Sequence, residues 1–117
     1  MEAFDSLALD YPLFTGESLG ACAIEVYPHA TAVILAGCLR PKNKKKIDWR
    51  RQIIGRYGVT DNRLRSTDLV DATLAALTGL YFLEGSYCYL GPPQEGVIIL
   101  PCSEGELPER YKTPAAP

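Results

Sequence analysis

Apolar residues in this chain cluster into short runs with distinct periods, bounded by Gly, Pro or charge. Phe4, Leu7 and Ala8 share one face of a short helix expected over residues 2–9, which Pro12 ends. Residues 15–20 read as a loop. Residues 21–27 are mostly apolar, which suits a buried strand better than a surface one. Pro28 fits the first turn of a helix, and Ala30, Val33, Ile34 and Leu35 continue it with near-helical spacing to Gly37, a natural stop.

Residues 42–46 form a basic linker. A helix is expected from about residue 47 to 57, with Ile47, Trp49, Ile53, Ile54 and Tyr57 on its inner side and Gly58 at its end. Gly55 lies inside it and should cost roughly 1 kcal/mol relative to Ala. After a polar loop over residues 59–66, Thr67 reads as an N-cap. From there to Leu83 nearly every side is apolar, which predicts a helix buried on several sides and stopped by Gly85. Residues 87–90 and 97–100 read as two strands joined through residues 91–96. The resulting class is α/β, with α+β as the alternative: about three strands and one long buried helix. Residues 1–102 form the domain. Residues 103–117, with three of the nine prolines, are expected to be a loose tail. The long helix is too apolar for so small a sheet, so the pattern predicts a partner for it: another part of a longer protein, a second copy in a homodimer, or a partner chain.

Composition narrows the setting. A chain of 117 residues holds one domain and one modest core. The net charge of −2 excludes a global basic field, so any nucleic-acid surface must be local. No run is long enough to span a bilayer, and residues 1–5 lack the basic start of a signal peptide; a cytoplasmic protein is expected. Cys22, Cys38, Cys88 and Cys102 form no Cys-x-x-Cys pair and stand with a single histidine, so free thiols are expected rather than a zinc site.

Three carboxylates carry the candidate chemistry. Glu25 lies near the end of the apolar strand run; Asp68 and Asp71, three apart, share a face at the start of the long helix. Hard cations want oxygen ligands, so the set is a candidate site for Mg²⁺ or Mn²⁺ and for metal-assisted phosphodiester chemistry. The plainer readings are stabilisation of the helix dipole by the two Asp and a salt bridge for Glu25. His29, four residues after Glu25, could transfer a proton or contact phosphate, or simply start a helix. Lys44, Lys45, Lys46, Arg50 and Arg51 are candidate nucleic-acid contacts; the alternative is a solvated linker. No glycine-rich phosphate loop, nucleophile elbow or dinucleotide fingerprint is present.

The string Ile24-Glu25-Val26-Tyr27-Pro28-His29-Ala30-Thr31 resembles a hallmark of the domain of unknown function family 429. Asp68-Leu69-Val70-Asp71-Ala72, the run from Gly91 to Pro101 and the run from Tyr11 to Glu17 agree with it in order, so that the resemblance covers roughly residues 4–102. The resemblance implies a metal-dependent nuclease with a ribonuclease-H-like fold, in which carboxylates from different elements hold two divalent ions about 3.5–4 Å apart. Glu25, Asp68 and Asp71 match the later acids of that set. The family pattern begins with a strand carrying Asp in a Gly-x-Asp context, and this chain has no such strand. The resemblance therefore implies the C-terminal half of the domain, with a half site that could be inactive. The alternative expectation is a non-enzymatic interaction module that assembles with itself or a partner.

Overall fold

The computed structural model describes residues 13–14, 22–60, 63–92 and 96–111. The helix expected over residues 2–9 and the loop over residues 15–20 lie outside them. Among the described residues the elements run β1 (Glu25–Val26), α1 (Pro28–Ala36), α2 (Lys46–Gly55), α3 (Thr67–Leu83), β2 (Cys88–Leu90) and β3 (Ile98–Leu100). The three strands form one mixed sheet in the order β1-β3-β2. β1 runs parallel to β3, with Glu25 opposite Ile98; β2 runs antiparallel to it, with Cys88 opposite Leu100. A parallel pair needs a crossover, and all three helices lie between β1 and β3. The fold is α/β. No helix among the described residues is long and apolar enough to cross a membrane.

Helix ends follow local chemistry. α1 starts on Pro28, whose missing N–H costs nothing there. It stops at Gly37, which takes a left-handed φ of 76° and donates its N–H to the carbonyls of Val33 and Ile34. α3 is capped by Ser66, not by Thr67: the Ser66 Oγ accepts the Leu69 N–H at 3.2 Å, and Thr67 is already helical. Gly96 also meets a steric demand. Its φ is 87°, and a Cβ there would lie 3.0 Å from Leu13 Cδ2.

The core has two main parts. Ala32 and Val33 of α1, Trp49, Ile53 and Ile54 of α2, and Val70 and Leu74 of α3 bury each other where the helices meet. On the sheet, alternation sends Leu100 toward Ala30, Cys88, Cys102 and Leu107, and Ile99 toward Phe14 and Val97. Leu107 is buried and residues 104–106 and 109–111 form short 3-10 turns, so the segment expected as a loose tail is packed at least to Tyr111.

The expectation of a helix buried on several sides needs correction. Val70, Leu74 and Thr78 of α3 are buried, but Leu69, Leu80 and Leu83 are 47%, 56% and 81% exposed. α3 meets α1 and α2 and, through Phe82, the Phe14 and Tyr87 rings beside the sheet, but Leu69, Leu80 and Leu83 leave an apolar face in solvent. Tyr57, expected on an inner side, is also exposed.

Candidate functional site

The amino-terminal parts of the three helices converge on one cleft of about 420 Å³. Tyr27, Pro28 and His29 bring the start of α1; Lys46 and Arg50 come from α2; Asp71 comes from α3. Lys46 and Arg50 are four residues apart, hence on one helix face. Helix starts carry the positive end of the peptide dipole, so backbone and side chains both favour an anion in this cleft.

Arg50 is the centre of the site. It is only 5% exposed, and its Nη1 donates to Asp71 Oδ1 at 2.5 Å. A charge this buried is tolerated because it is paired. The pairing is incomplete: Arg50 Nε is buried and has no hydrogen-bond partner among the described residues. Beside it, the rings of Tyr27, His29 and Trp49 form a chain, with centroids 5.9 Å and then 6.4 Å apart. Trp49 is buried in the core, whereas Tyr27 is 51% exposed at the cleft wall.

The expected site residues are brought together only in part. Asp71 and His29 line the cleft, but Glu25 and Asp68 do not. Glu25 is exposed on β1 and its Oε2 lies 3.8 Å from where a Cβ of Gly96 would stand. Asp68 is exposed on the first turn of α3. Among the described residues no three His, Cys, Asp or Glu side chains are grouped to hold a metal ion. Of the basic residues, Lys46 and Arg50 face the cleft. Arg51 donates through Nε and Nη2 to the Leu64 carbonyl, fixing the loop before α3. Lys44 reaches Gln52 Oε1 at 2.5 Å, and Lys45 is the exposed residue before α2. Tyr27 was not among the expected site residues. Its place between β1 and Pro28 was the available signal, because a residue held at a strand-to-helix turn faces the same end of the fold as the helix start.

A family model described as "Protein of unknown function (DUF429)" matches residues 2–95, and the chain belongs to that family. Searches among curated proteins and among solved structures found no match.

Proposed function

We propose that this DUF429 protein acts on phosphodiesters, taking a phosphate of nucleic acid into the cleft against Lys46 and Arg50. The observation that carries this reading is the cleft itself, which gathers Lys46, Arg50 and the start of α1. A guanidinium offers five N–H donors in a planar fork that matches phosphate. A phosphate in the cleft would meet this guanidinium, with Lys46 and the start of α1 adding favourable charge.

Hydrolysis with Mg²⁺ or Mn²⁺ on a ribonuclease-H-like fold is the reaction implied by the family resemblance. The placed donors do not fit a preassembled divalent site. Asp71 is the only carboxylate among the described residues that lines the cleft, and it already answers Arg50, with Lys46 adding a second positive charge nearby. Glu25 and Asp68, which do not line the cleft, leave Asp71 without a second carboxylate there. A cytoplasmic setting is proposed with this reading. The test is cleavage of a labelled oligonucleotide with Mg²⁺ or Mn²⁺ by the wild type and by Asp71→Asn. Loss of activity in a variant that stays folded supports the assignment; activity that survives the substitution sinks it.

A second reading, an assembly module, is favoured by the exposed face of α3. Leu69, Ala72, Ala76, Leu80 and Leu83 follow one another at intervals of 3, 4, 4 and 3 residues, a pattern that is the same read in either direction about Ala76. A two-fold interface needs this self-complementarity. Two antiparallel α3 helices would set each Leu69 beside the other copy's Leu83. Light scattering decides: a homodimer that Leu80→Glu converts to monomer supports the reading, and a wild-type monomer at high concentration contradicts it.

A further inference from the structure

We infer that the cleft holds one nucleotide of a single-stranded nucleic acid, with its phosphate on Arg50 and Lys46 and its base stacked on Tyr27. This rests on the phosphodiester reading above and adds the form of the substrate. Two features of the cleft bear on it separately. The exposed Lys46 and the Arg50 guanidinium line the cleft together and mark where an anion is favoured. Tyr27 marks a flat apolar surface on the same cleft, half exposed and backed by the His29 ring. An aromatic side chain held by a second ring costs little further ordering when a base lands on it.

The combination selects single strands on geometric grounds. In a duplex both faces of each base are covered by neighbours, and an aromatic ring has no base face to meet. In a single strand the bases can splay, and stacking on an aromatic wall is available to any base. A cleft of about 420 Å³ accommodates one nucleotide unit, not the width of a duplex. The cationic wall then tracks the backbone while Tyr27 takes the base, so sequence preference should be weak.

The experiment is fluorescence anisotropy of a labelled single-stranded oligonucleotide and of its duplex, with the full chain in EDTA so that no metal-dependent step contributes. The single strand is expected to bind more tightly than the duplex. Tyr27→Ala should weaken single-strand binding about tenfold, and Tyr27→Phe, which keeps the ring, should restore it. Lys46→Ala should lower the slope of log affinity against log salt by about 0.7. Both side chains lie at the surface, and thermal melting checks that each variant is folded. Equal affinity for duplex and single strand, or a Tyr27→Ala variant that binds like the wild type, overturns the inference while leaving the phosphate reading standing. No binding of either nucleic acid by the wild type overturns both.

Discussion

Arg50 Nη1 and Asp71 Oδ1 stand 2.5 Å apart and tie α2 to α3 at the floor of the cleft. The arginine side chain is 6% exposed and the aspartate 27%, so water screens the pair only weakly. Removing one partner leaves the other charge without an answer. Asp71→Ala should therefore lower stability by about 3 kcal/mol, and Asp71→Asn, which can still accept from Arg50, by less. Asp68→Asn, exposed one turn earlier, should cost less than about 1 kcal/mol. Urea denaturation of the three variants checks this order; equal losses at Asp68 and Asp71 would contradict it.

The cap of α3 gives a second prediction. Ser66→Ala should cost about 1 kcal/mol, because the Leu69 N–H loses its acceptor. Thr67→Ala, inside the first turn, should have a smaller effect. The midpoints of thermal unfolding rank the two, and the reverse ranking would return the cap to Thr67.

A buried pair of threonines joins α1 to α3. Thr78 Oγ1 donates its single proton to the Leu74 carbonyl at 2.9 Å, so Thr31 must be the donor in the 2.8 Å contact between the two hydroxyls. Thr78→Val takes away the acceptor and leaves a buried donor in Thr31. Thr31→Val leaves Thr78 bonded to Leu74. The first should therefore destabilise more, by about 1 kcal/mol, and the double Val variant should recover part of the loss. A double-mutant cycle with no coupling would refute the pairing.

Tyr81 gives a pH prediction. A hydrogen bond that its O–H donates to the neighbouring Tyr57, and then burial, push its phenol up to about 12 from the ordinary value of 10.0. The folded state therefore holds this proton after the unfolded chain has released it. The contribution is complete below pH 10 and is lost as pH rises from about 10 to about 12. Ultraviolet titration of phenolate should show one late tyrosine that moves earlier in Tyr57→Phe. No change in that variant would rule out Tyr57 as the cause.

Much of the fold was legible because local signals agreed with tertiary demands. Pro28 and Gly37 bracket α1, and the span of α3 follows its apolar run from residue 67 to 83. Burial was less legible. An apolar helix surface does not say whether this chain covers it, and Leu80 and Leu83 turned out to face solvent. The site was partly legible for a related reason. Sequence spacing placed Asp68 and Asp71 on one face, but which residue crosses from α2 to meet Asp71 depends on how two helices pack. The charge of Arg50 suggests a phosphate contact; its near-complete burial follows from its place beside Trp49, Ile53 and Ile54, which no charge count reveals.

The central claim is that phosphate is bound at the cleft and not by the basic linker as a whole. Charge reversal separates the two most directly. Lys44 and Lys46 are two residues apart and carry the same charge, but only Lys46 lines the cleft, while Lys44 is engaged with Gln52. Titrating a labelled single-stranded oligonucleotide in EDTA into Lys46→Glu and Lys44→Glu should show affinity falling about tenfold or more for the first and far less for the second. Equal losses would assign binding to a diffuse basic linker, and no loss in either would remove the phosphate site from this cleft.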